Sequence, residues 1–86
     1  MGVHDVGKYS YIHSLLGIPA NEPIFILRAQ DRLSVATIVE YRRFYTQRML
    51  LDHQVPEEQF VANLDEVISD FIDWQQRNPG FVKLPD

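Results

Sequence analysis

Apolar positions recur at helical spacing over two long stretches of the chain, and the two stretches differ in how much of the helix they cover. Phe60, Leu64, Val67, Phe71 and Trp74 follow one another at intervals of four, three, four and three, and Val61, Ile68 and Ile72 widen that stripe. Asp65, Glu66, Asp70 and Asp73 lie on the opposite side, so the segment from about Pro56 to Arg77 reads as an amphipathic helix. Pro56, Glu57 and Glu58 suit its first turn, where fixed φ and negative charge are favoured, and Asn78-Pro79-Gly80 stops it.

The earlier stretch, from about Ser34 to Leu51, is apolar over much more of its circumference. Ile38, Tyr45 and Met49 share a line flanked by Val35 and Val39, while Tyr41, Phe44 and Leu51 occupy a second sector. Only a narrow stripe of Glu40, Arg43 and Gln47 is polar, so this helix is expected to lie between two covering elements. Asp31 or Ser34 is placed to cap its start. A break at 52-DHQVP-56 turns the two helices into a long antiparallel hairpin.

Before the hairpin, 24-IFILRA-29 alternates with both faces apolar, which predicts one central strand. Residues 1–17 read as a helical arm carrying Tyr9, Ile12, Leu15 and Leu16, ended by Gly17 and Pro19, with 18-IPANEP-23 as a loop. The tail 81-FVKL-84 is either a short strand or a docked segment. The expected fold class is therefore α+β and mostly helical, a single domain over residues 1–86. Its parts are the arm (1–17), loop and strand (18–33), helix hairpin (34–77) and tail (78–86). A lone strand leaves its backbone N–H and C=O groups unpaired; 81-FVKL-84 of the same chain or 24-IFILRA-29 of a second copy could pair with it, and the longer, two-fold pairing with a second copy is the favoured expectation. Ile24, Ile26, Tyr41 and Phe44 are the expected interface positions.

Size sharpens the self-association argument, because 86 residues bury little more than ~60% of their unfolded surface. The absence of cysteine removes disulfides, thiolate metal sites and cysteine nucleophiles. No apolar run approaches the ~20 residues of a membrane span, and no signal-peptide pattern is present, so a cytoplasmic setting is expected. Eight Lys and Arg against twelve Asp and Glu give a net charge of −4, which argues against nucleic-acid and acidic-membrane partners. The charge is also divided. Residues 28–48 carry five arginines against two carboxylates, a local +3, whereas residues 56–77 carry one arginine against six carboxylates, a local −5. Neighbouring helices or subunits of opposite sign attract. The acidic second helix would also be repelled from phosphates, which counts against helix-turn-helix DNA binding.

Candidate chemistry centres on the arginines. Arg28, Gln30 and Arg32 sit where the strand gives way to the helix, a place that favours anions. Arg42 falls inside the apolar sector of its helix, where a guanidinium needs either a structural carboxylate or a ligand oxygen. Together these four are the candidate ligand-binding residues for an anionic, nucleotide-like small molecule. No catalytic residues are assigned. Ser10, Ser14, Ser34 and Ser69 lack a nucleophile context, Glu66, Asp70 and Asp73 face away from the apolar stripe, and Gly7-Lys8-Tyr9 is no phosphate loop. His4, His13 and His53 lack metal-ligand spacing, so no metal or cofactor is expected.

The segment 22-EPIFILRAQD-31, followed by a helix rich in Val, Tyr and Arg, resembles short uncharacterised bacteriophage and prophage proteins. The resemblance covers about ten residues well and about fifteen more loosely. It implies a protein that acts by binding a host protein or a signalling nucleotide. The leading expectation is a small, non-enzymatic, self-associating interaction module; the alternative is a binder that sequesters an anionic ligand through arginines.

Overall fold

A computed structural model describes residues 12–84. The expectations for residues 1–11, including the arm's Tyr9, lie outside the described residues. The chain is mostly helical: residues 12–16 form a short helix (α1), Ser34–Leu51 form α2, Glu58–Arg77 form α3, and Pro79–Phe81 make a 3-10 turn.

Local chemistry accounts for where each helix stops. Gly17 ends α1 with φ +70°, a left-handed conformation that favours glycine, and nothing lies within 4 Å of where its Cβ would be. The amide of Ile18 donates to the carbonyl of His13 (2.8 Å) and that of Gly17 to Ser14 (3.3 Å), the paired closure of a Schellman motif. The same motif ends α2, but with a histidine in the left-handed position. His53 has φ +57°, Gln54 N–H donates to Met49 (2.8 Å) and His53 N–H to Leu50 (3.0 Å). At the start of α2 neither expected cap is used. Leu33 holds the N-cap position without a side-chain bond, and Asp31 Oδ1 accepts from Leu33 N–H at 2.8 Å. Glu57 caps α3, its carboxylate accepting from Phe60 N–H at 3.1 Å.

The contacts between α2 and α3 run from late α2 with early α3 to early α2 with late α3. The phenol of Tyr45 accepts from Glu57 N–H (3.0 Å) while its ring meets Phe60 edge-on with centroids 4.7 Å apart. Arg42 reaches Asp65, and Ser34 reaches Gln75. The expected seam residues, Ile38, Tyr45 and Met49 on α2 with Phe60, Leu64, Phe71 and Trp74 on α3, are all half-buried. Among the described residues no hydrophobic side chain is fully buried; only His13 and Ser34 are. The radius of gyration is 15.2 Å, against about 11–12 Å for a compact domain of this size. The described residues form a seam but no closed core.

The expected central strand is absent. Residues 24–29 adopt no strand, and the described residues contain no sheet, only an isolated parallel bridge between Asp31 and Lys83. In that bridge Arg32 N–H donates to Lys83 O (2.8 Å) and Lys83 N–H to Gln30 O (3.0 Å). The tail therefore docks, and it docks just beyond the apolar run. A strand exists only where a second backbone runs beside it. Alternating apolar residues supply side chains for that arrangement but not the partner. Ile24, Ile26 and Leu27 are half-buried and Phe25 is exposed.

Candidate functional site

Three places gather the side chains that sequence reasoning singled out, and they are separate. The first is the α2–α3 seam, where Arg42 is half-buried and forked onto Asp65, with Nε–Oδ1 at 2.8 Å and Nη2–Oδ2 at 3.4 Å. Of the ion pairs among the described residues, this one joins the two long helices. The others, Arg43–Glu40, Arg48–Asp52 and Arg77–Asp73, are local, within one helix or at its end. Asp65 fills the structural-carboxylate role that the sequence reading set beside a ligand oxygen.

The second place is the corner that leads into α2. Arg28 and Arg32 are exposed and Gln30 is half-buried. The bridge through residues 30–32 brings Lys83 beside them. Among the described residues, Arg28 and Arg32 are the arginines without an ion pair. Arg42 does not join them, because it stands eight residues into α2, about 12 Å along the axis from Ser34. The four candidate ligand-binding residues therefore divide by place, three at the corner and Arg42 in the α2–α3 seam.

That corner is clamped from beneath by Gln75, whose role the sequence reading missed. Its Nε2 lies 2.9 Å from Ala29 O, 3.3 Å from Asp31 O and 3.2 Å from Ser34 Oγ, and Ser34 is fully buried. An amide nitrogen carries two N–H groups, so the three oxygens share two donors. The signal for it was present: at 100° per residue Gln75 falls between Leu64 and Ile68, a polar group inside the apolar stripe of α3. A second clamp holds α1. His13 is buried with Nε2 2.6 Å from Glu22 O. A carbonyl only accepts, so that nitrogen carries the proton.

The third place is the side of α2 turned away from α3. Leu33 (52% exposed), Phe44 (61%) and Leu51 (74%) are open to solvent there, and Tyr41 (55%) stands at the edge of this face, its ring also meeting Phe60 of α3 edge-on with centroids 6.3 Å apart. The guanidinium of Arg43 sits over the Phe44 ring, 5.2 Å from its centroid, and is held by Glu40 at 2.7 Å. At the far end Gln47, Leu50 and Leu51 line an open depression of about 510 Å³. The expected interface residues divide: Tyr41 and Phe44 lie on this face, whereas Ile24 and Ile26 lie in the linker before α2.

Among the described residues no group of three His, Cys, Asp or Glu side chains could hold a metal ion, and no helix is long and apolar enough to cross a membrane. Compared with known proteins, the chain matches no family model, no curated protein and no solved structure.

Proposed function

We propose that this chain works by binding rather than by catalysis, as a small self-associating interaction module whose working surface is the outward side of α2. The exposure of Leu33, Tyr41, Phe44 and Leu51 along one helix carries this reading. A helix apolar on two sides needs two covers, and within one copy α3 supplies one. Exposed apolar area of this extent marks surfaces that meet other molecules. The likeness of residues 22–31 to phage-type proteins supports a host protein among the partners.

The test is the size of the chain's complexes in native host lysate, for the wild type and for Phe44→Glu. The wild type should elute well above the mass of one chain and the variant, still helical by circular dichroism, at a lower mass. Elution of the wild type as a lone monomer, in lysate and when purified, would sink the reading.

A second reading rests on the two arginines without ion pairs. Arg28 and Arg32, with Gln30 and Lys83 beside them, present cations at the start of a helix, where amide N–H groups also favour an anion. It requires a thermal shift with nucleotides or inorganic phosphate that Arg28→Ala and Arg32→Ala remove. No shift with either probe excludes it.

A further inference from the structure

The outward face of α2 is built to be read the same way from both ends. At 100° per residue Leu33, Phe44 and Leu51 fall within about 20° of one line, with Tyr41 and Arg48 on one flank and Glu40 and Gln47 on the other. Leu33 and Leu51 stand equally far from residue 42, and the two aromatic residues bracket it. From this symmetry we infer that the partner of this face is a second copy of the same chain, with the two α2 helices packed antiparallel about a two-fold axis near residue 42. The inference rests on the interaction-module reading and names its partner.

Antiparallel pairing about residue 42 sets Leu33 against Leu51 of the second copy, and brings Tyr41 within one residue of Phe44 and Glu40 within one residue of Arg43, each contact made twice. The apolar ends then cover each other, and Leu33 of the second copy arrives at the depression lined by Gln47, Leu50 and Leu51. Charge favours the same orientation. Parallel pairing would bring Glu40 to Glu40 and Arg43 to Arg43, whereas antiparallel pairing alternates the signs across the axis.

The area is also sufficient. At the exposures of Leu33, Tyr41, Phe44 and Leu51, the four side chains offer roughly 500 Å² per copy, so about 1,000 Å² between two. Leu50 and the stems of Arg48 and Gln47 bring the total into the range of stable dimers, about 1,200–2,000 Å². The outer side of α3 is a poorer mate for this face. It carries Glu66, Asp70 and Asp73, and the large exposed hydrophobics of α3, Val67 and Ile72, each 39% exposed, belong to its apolar stripe.

The chain has no cysteine, so introduced thiols report position cleanly. Sedimentation equilibrium of purified protein at concentrations up to about 100 µM should give a dimer, and Phe44→Glu should weaken it about 30-fold or more while keeping the helical spectrum. Chains carrying Leu33→Cys and chains carrying Leu51→Cys are then mixed and mildly oxidised. The expected product is the mixed cross-linked dimer, in excess over either variant linked to itself. Self-linked products in excess mean parallel pairing, and the absence of cross-links in a proven dimer means another interface; either overturns the inference. A purified monomer overturns it too, and the lysate experiment then shows whether the broader reading survives with a different partner.

Discussion

Replacing Gln75 by glutamate tests whether the corner before α2 is held by donation from α3. The amide nitrogen faces three acceptors at 2.9, 3.2 and 3.3 Å and supplies two protons. Gln75→Met keeps the length of the side chain and removes both donors. At about 1 kcal/mol per net hydrogen bond, with the oxygen of the fully buried Ser34 left without its donor, the loss should be about 2–3 kcal/mol. Gln75→Glu goes further, because an ionised carboxylate places negative charge against two backbone carbonyl oxygens in a half-buried site, where only the Ser34 hydroxyl can turn to donate. The additional cost should be about 1–3 kcal/mol at neutral pH, a large fraction of the ~4–13 kcal/mol available to a domain of this length. The pH dependence has a definite sign. A carboxyl facing acceptors is held above its ordinary value in the folded state, so the folded variant binds more protons than the unfolded one. Its deficit against Gln75→Met should therefore shrink as pH falls through that raised value, when the group donates one O–H, and should widen as pH rises. Denaturant melts of the three proteins between pH 4 and 8 provide the assay, with amide exchange at Arg32 and Lys83 reporting release of the corner. Equal stability of Gln75→Glu and Gln75→Met at every pH would refute the clamp.

Other expectations follow from the same contacts. His53→Gly should stabilise the chain by about 0.5–1 kcal/mol, since glycine takes the left-handed C′ position at φ +57° without a Cβ clash; a lower melting temperature would count against the cap. Gly17→Ala, with open space around its Cβ but φ +70°, should destabilise by about 1 kcal/mol in a denaturant melt. A double-mutant cycle on Arg42 and Asp65 should give a coupling below about 1 kcal/mol that falls further with added salt, because both side chains are more than a third exposed. Leu64→Ala and Phe71→Ala should each cost about 1–3 kcal/mol by equilibrium unfolding, less than for closed-core positions, because both are half-buried.

The local instructions in this chain are strong, and the helices show it. Apolar spacing, with the break at 52-DHQVP-56 and the asparagine–proline pair at 78–79, places α2 at Ser34–Leu51 and ends α3 at Arg77 from the sequence alone. Helical hydrogen bonds join residues four apart, so the information needed lies within one window. The all-round apolar character of α2 likewise announced a helix in need of two covers. Which side α3 takes emerged only in three dimensions, where the Tyr45–Phe60 contact and the Arg42–Asp65 pair turn one sector inward, leaving Phe44 outside and Tyr41 at the edge against Phe60.

The points that local pattern left open share a cause. Alternation in 24-IFILRA-29 is compatible with a strand, but a strand is a relation between two backbones, and the tail that could have joined it pairs at Asp31 instead. Arg42 could have met a ligand or a carboxylate, and the choice was made by a residue 23 positions away. Gln75 binds partners 41 to 46 positions distant. Sequence periodicity determines what each segment can be, because backbone hydrogen bonding within a helix is short-range. Tertiary structure decides which polar groups meet and which apolar face stays open, because those depend on segments that come together only after the helices have formed.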